Sequence, residues 1–151
     1  MKPIPETEIA YIAGLFDGDG CVGLYTRNKT VSNSLELSAS IGGTNPFPLI
    51  KCKDYFGGFI HIQGQRSTKK GYKYKTFWNW KVCARKAEYF LGQILNYLII
   101  KKQEVEIALE SRKLVDPRSN FGKSINVEMQ KTNMANKMKE LKKQEWATLP
   151  M

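Results

Sequence analysis

Residues Ile12-Ala13-Gly14-Leu15-Phe16-Asp17-Gly18-Asp19-Gly20 constrain this chain more than any other stretch, because an apolar, small-residue segment runs straight into two carboxylates separated by one glycine. Ala10, Gly14 and Gly18 recur at every fourth position and so share one face of a helix. That helix is expected over about residues 6 to 17, since Pro3 and Pro5 precede Glu6 and Glu8, acids suited to the positive end of a helix dipole. A stripe of small residues lets another backbone come close, whether a partner helix or a passing strand or loop. Asp-Gly pairs by themselves also form turns. A turn, however, does not account for the apolar helix leading in or the alternating segments leading out.

Two such segments, Cys21 to Asn28 and Ser32 to Ile41, are joined at Asn28-Lys29-Thr30 and predict a β-hairpin. Asn45-Pro46-Phe47-Pro48 opens a short helix that Gly57-Gly58 ends. Phe59 to Gln65 and Tyr72 to Ala84 predict a second hairpin around the basic stretch Arg66 to Gly71. Tyr89, Phe90, Ile94, Leu95 and Leu98 then recur at helical spacing, and a further helical run follows from about Gln103 to Leu114. Val115 to Gly122 is the clearest linker, and the lysine-rich tail from about Val127 to Trp146 is helix-permissive with few apolar positions. The expected class is α+β, with elements in the order αββαββα, a four-stranded antiparallel sheet and C-terminal helices. One domain over residues 1–151 is expected, its core at about 6–114 and a helical extension at about 123–147.

Alternation assigns the strand faces. Val22, Leu24, Leu35, Leu37, Ala39, Ile41, Ile60, Ile62, Trp78, Trp80 and Val82 point inward. Tyr25, Arg27, Ser34, Glu36, Ser38, Ser40, His61, Gln63, Gln65, Lys73, Lys75, Asn79 and Lys81 point outward. The last strand is the least constrained, because Phe77 stands among lysines and a slip of one residue would exchange its faces. Twenty-four Lys and Arg against fourteen Asp and Glu leave a formal charge of +10, which favours a polyanionic partner. A polar sheet face of this composition can read base edges in a major groove while its lysines meet phosphates, although antiparallel sheets commonly have a solvated polar face. His61 reads equally as a surface residue or a base reader.

The longest apolar run, Tyr97 to Ile100, is far too short to span a bilayer, so no membrane partner is expected. Cys21, Cys52 and Cys83 are widely spaced with no CxxC pair, which argues against a disulfide framework or a zinc site and favours a reducing compartment. Met1 to Glu6 lacks the apolar stretch of a signal peptide, so an intracellular location is expected.

Ile12 to Gly20 resembles the nine-residue signature of the LAGLIDADG homing endonucleases, with eight of nine positions in the family's order of small, apolar and acidic residues and Ile12, Phe16 and Gly18 as variants. The helix, strand, strand order is also the family's. The resemblance implies a curved sheet whose polar face binds double-stranded DNA, and a homodimer joined through Ala10, Ala13, Gly14, Asp17 and Gly18. It implies that Asp19 is catalytic and binds metal, that the Gly18 carbonyl is a further metal ligand, and that Asp17 closes a helix end or the dimer contact. Lys101, with Lys102 as the alternative, matches the family's catalytic lysine near the scissile phosphate. DNA contacts are expected from Tyr25, Arg27, Lys29, Ser34, Glu36, Ser38, Ser40, His61, Gln63, Gln65, Arg66, Lys73, Lys75, Asn79 and Lys81. The implied activity is Mg2+-dependent hydrolysis of both strands of a long, nearly palindromic site. Other divalent cations can substitute, and no small-molecule cofactor is involved. Family members are usually encoded in introns or inteins, so the compartment would be a bacterial or archaeal cytoplasm or an organelle.

One departure stands out: Gly42 and Gly43 occupy the place where the family often has a glutamine or other polar residue, with Asn45 the nearest substitute. Two other readings stay open. One is an RNA-binding intron maturase or non-cleaving relative of the same fold; the other is an unrelated, monomeric, basic sheet module.

Overall fold

A computed structural model of the chain describes residues 3–28, 32–63, 71–114 and 125–143. Its elements are α1 (Glu6–Asp19), β1 (Gly20–Asn28), β2 (Ser32–Gly43), α2 (Phe47–Phe56), β3 (Phe59–Gln63), β4 (Phe77–Cys83), α3 (Ala84–Ile94), a 3₁₀ turn (Leu95–Tyr97), α4 (Lys102–Lys113) and α5 (Ile125–Lys143). The four strands form one antiparallel sheet in the order β1-β2-β4-β3, so β1 and β3 are its edges. The fold is α+β with the αββαββα order expected, followed by α4 and α5.

Among the boundaries that differ from expectation, two bear on the site. α1 continues through Asp19, carrying both acids in its last turn. β4 starts at Phe77 rather than Tyr72, because the tyrosines of residues 71–76 find no core to cover: Tyr72 and Tyr74 are largely exposed.

Local chemistry explains the junctions. α1 passes into β1 with no loop, the Gly20 N–H donating back to the Phe16 carbonyl. A Cβ at Gly20 would lie 2.4 Å from both the ring and the carbonyl oxygen of Phe16, so only glycine fits. Between α2 and β3 the chain reverses through Gly57 and Gly58, at φ of 70° and 84°, a region L side chains rarely adopt. Trp80 Nε1 donates to the Gly57 carbonyl at 2.8 Å, tying that turn to β4.

The core lies between one sheet face and the helices. Val22, Leu24, Leu37, Ala39, Ile41, Trp80 and Val82 cover the sheet side, as alternation predicts. Ile12, Ala13 and Phe16 of α1, Leu49, Cys52 and Phe56 of α2, Phe90, Leu91 and Ile94 of α3 and Val105 and Ala108 of α4 close over them. Phe90 is the hub, meeting Phe16, Phe56 and Trp80 edge to face at 5.4, 5.0 and 4.9 Å between centroids.

α5 joins the same core through Ala135 and Met138, which answers where the lysine-rich tail packs. Two of its lysines serve the sheet. Lys131, almost fully buried, donates to the Leu35 carbonyl of β2 at 3.5 Å and lies 3.9 Å from Glu128. Lys142 donates to the Val22 carbonyl of edge strand β1 and pairs with Glu104 of α4 at 3.6 Å. Among the described residues no helix is long and apolar enough to cross a membrane.

Candidate active site and nucleic-acid interface

α1 has two dissimilar faces. Ile12, Ala13, Phe16 and Asp17 are buried in the chain's own core, whereas Ala10, Tyr11, Gly14, Gly18 and Asp19 are exposed. A Cβ added at Gly14 or Gly18 would meet nothing within 4 Å, so the small-residue stripe borders open space. Of the five residues expected at a dimer contact, Ala10, Gly14 and Gly18 lie on this open face. Ala13 and Asp17 do not: they are turned about a quarter of the helix away and are covered by the chain itself.

The two acids of the motif accordingly have different surroundings. Asp17 is only 8% exposed, and its carboxylate accepts three backbone N–H groups: Ile99 at 2.7 Å and Ile100 at 3.1 Å on Oδ2, and Lys101 at 2.9 Å on Oδ1. Those amides are the entry to α4, for which Lys101 is the N-cap, so the negative charge sits at the positive end of that helix. The Lys101 ammonium in turn donates to the main-chain carbonyl of Asp17, at the last turn of α1. Lys102, the alternative, is exposed in the first turn of α4. Asp19 is exposed and makes no hydrogen bond or ion pair with another described residue, leaving its oxygens available.

The donor set here suits a hard divalent cation, since Asp19 and the neighbouring Gly18 carbonyl offer oxygen only. Among the described residues no three His, Cys, Asp or Glu side chains gather closely enough to hold a metal. At the foot of α1, Asp19 is therefore the one carboxylate among the described residues left open, since that of Asp17 is taken by the entry to α4.

The second candidate surface is the sheet face turned away from the helices. Register aligns Cys21, Ser40, Lys81 and Phe59 in one row across it, Gly42, Asn79 and His61 in the next, and Phe77 with Gln63 at the end. Tyr25, His61 and Gln63 are exposed, and Glu36, Ser40, Asn79 and Lys81 partly so. Lys73 and Lys75 are exposed but precede β4. Ser38 is a correction: it is 5% exposed, flanked on both sides by neighbouring strands and 3.7 Å from the Cys83 thiol, which donates to it. It is too enclosed to reach a groove. Arg27 and Ser34 lie within β1 and β2 but their side chains are outside the described set, and Lys29, Gln65 and Arg66 fall outside the described residues.

Tyr25 lies over Gly23, where a Cβ would come within 2.6 Å of its ring, and its hydroxyl is 3.5 Å from Cys21 Sγ. Burial, then the contact with Cys21, pushes the phenol up to about 12, so it stays neutral. Two aromatic residues share this face: Phe77, which the sequence already sets among the lysines, and Phe59, which it does not single out. Phe77 covers Gly42, and Phe59 packs edge to face on His61 at 5.0 Å; both stay more than one-third exposed. Alternation outward from His61 and Asn79 already places them here. β2 does end in Gly42-Gly43, without a side chain there, and Asn45 Oδ1 accepts the Phe47 N–H at 3.0 Å, a local turn leading into α2.

One acidic helix foot, an open small-residue stripe and a polar four-stranded sheet face are thus set on one α+β frame. The chain has the fold of the LAGLIDADG homing endonucleases. It superimposes on the homing endonuclease I-CvuI, solved with its target and calcium, at a TM-score of 0.69, 21% identity, 95% coverage of this chain and 87% of that one. The archaeal intron-encoded homing endonuclease I-Vdi141I, solved with DNA, matches at 0.70, 18% identity, and 97% and 89% coverage. The LAGLIDADG homing endonuclease I-GzeII, also bound to a DNA target, matches at 0.59 and 15% identity over 86% of this chain but 43% of its own. No known family profile and no curated protein sequence matches the chain.

Proposed function

We propose that this protein is a LAGLIDADG homing endonuclease that acts as a homodimer, hydrolysing both strands of a long, nearly palindromic DNA site with Mg2+ or a similar divalent cation. The observation that carries this reading is the last turn of α1, where an unpartnered Asp19 stands at the end of an open stripe of Ala10, Gly14 and Gly18 and the Lys101 ammonium reaches the same turn. Pairing two copies along that stripe brings two Asp19 carboxylates together, and two-fold symmetry makes the recognised duplex close to palindromic. A bound divalent cation supplies neutralisation of the phosphate's developing charge and a more acidic water. Asp19 and the Gly18 carbonyl hold it, Lys101 places a positive charge beside the strand to be cut, and the polar sheet face fixes register through phosphate and base contacts. I-CvuI and I-Vdi141I, both complexed with DNA, support the substrate class.

The side-chain-free end of β2 at Gly42-Gly43 favours one competing reading, a relative that binds nucleic acid, including intron RNA, without cutting it. One experiment separates the two. A plasmid library of near-palindromic sites, together with the intron-free host gene, is incubated with the protein in Mg2+ and in EDTA. Site-specific linearisation only with Mg2+, from a protein sedimenting as a dimer, is the expected result. RNA binding with no linearisation would establish the non-cutting reading instead.

A further inference from the structure

We infer that Asp17, the first acid of the motif, is the positioning residue for Lys101: its carboxylate clamps the entry to α4 onto the foot of α1 and so delivers the Lys101 ammonium to the turn that carries Asp19. This rests on the nuclease reading for its consequence but on geometry for its premise. Residues 99–101 lie more than eighty positions from Asp17 in sequence, yet three consecutive N–H groups converge on its two oxygens at 2.7 to 3.1 Å. Three successive amides aimed at one carboxylate fix the path and direction of that backbone, not merely its proximity. The flanking side chains add little, because those of Ile99 and Ile100 are 88% and 65% exposed. Buried Leu98 and α4 anchor the two ends of this segment; between them Asp17 fixes its path, and what the segment carries is Lys101.

The clamp closes on itself. Asp17 binds the Lys101 main chain through its side chain, and Lys101 binds the Asp17 main chain through its own. Main chain and side chain of each residue are therefore referenced to the other, which removes the freedom a four-carbon stem ordinarily keeps. Asn would be a poor replacement. Its amide oxygen can accept from one side, but its NH2 group would face the remaining N–H donors and leave them unpaired. Asp17 touches neither substrate nor metal in this scheme; it acts through Lys101, and a misplacement of about 1 Å at such a group costs on the order of 100-fold in rate.

The test combines two readouts on the full chain. Reductive methylation followed by mass spectrometry compares Lys101 with its exposed neighbour Lys102. In the wild type Lys101 should react several-fold more slowly, and in Asp17→Asn the two should react alike. Single-turnover cleavage and DNA binding in Ca2+ are then measured for Asp17→Asn, Lys101→Met and the double variant. Asp17→Asn should cut roughly 10- to 100-fold more slowly with binding within about twofold, and should slow Lys101→Met by less than about twofold further. Equal slowing in both backgrounds, or an unchanged Lys101 reactivity, would overturn the inference. Should Asp17→Asn fail to fold, Asp17→Glu keeps the charge but displaces the clamp by a methylene, and the same pattern is required of it. A wild type that cuts no DNA defeats the nuclease reading alone, since the methylation comparison still decides whether Asp17 positions Lys101.

Discussion

The two faces of α1 lie roughly a third of a turn apart and have opposite surroundings. On one, Ile12, Ala13, Phe16 and Asp17 are consumed by the chain's own packing, with Phe16 against the Phe90 hub and Asp17 against the entry to α4. On the other, Ala10, Gly14 and Gly18 present almost no side chain and Asp19 presents an unpartnered one. A glycine-bearing helix surface left bare is costly unless something covers it, because each interior glycine weakens a helix by roughly 0.5–1 kcal/mol relative to alanine. Tyr11 on the same helix is also half exposed. The contrast teaches that the motif is divided: one stripe builds the monomer's core, and the neighbouring stripe is left open, as the proposed pairing of two copies requires.

The contrast breaks first at Phe16. Phe16→Ala should cost about 3–5 kcal/mol of monomer stability, read from the urea midpoint with an unchanged slope; a loss below about 1 kcal/mol would mean that the closed face is not the structural one. Next comes Asp19→Asn, which should reduce cleavage by about 100-fold while duplex affinity in Ca2+ stays within about twofold, since on the proposed reading it removes a metal ligand and little of the positive field. Parallel loss of affinity and cutting would take Asp19 out of the metal site. Gly14→Leu is the converse of Phe16→Ala. With open space at its Cβ it should leave the monomer's Tm unchanged or higher, by up to about 1 kcal/mol of helix propensity, yet shift sedimentation from dimer to monomer.

Much of this division was legible in sequence, and the illegible part has a common cause. Every-fourth small residues name a helix face, alternation names strand faces, and both are local periodicities that survived folding almost intact. Which stripe of α1 is buried was only half legible. Alanine suits a core and a close helix contact equally, so Ala13 reads as either until Phe16 and the sheet fix the inward direction. The distinct environments of Asp17 and Asp19 are long-range facts, created by where residues 99–101 arrive. Ser38 alternates outward correctly but is closed in by strands on both sides, which alternation does not encode. Phe59 is not legible as outward because an aromatic residue suits a core equally, and the packing of α5 is masked by its lysines, although Lys131 and Lys142 satisfy strand carbonyls.

The sheet repeats the arrangement of α1, one face closed and one open, and Tyr25 probes how open the second one is. It stands on the polar face, yet it lies over Gly23 and against Cys21, and its phenol is raised to about 12. An acid whose pKa is higher folded than unfolded favours the folded state while both forms are protonated and loses that advantage as the unfolded chain ionises first. Stability should therefore be unaffected below about pH 10, the ordinary tyrosine value, and decline as pH rises from there toward about 12. The decline should be small, because the side chain is about half exposed and solvent screens it. Lysines also titrate in this range, so the informative quantity is the difference from Tyr25→Phe, which should remain flatter over the same interval. If the two slopes coincide, Tyr25 is solvated like any surface phenol, and the sheet's polar face is open along β1 as well as along β3.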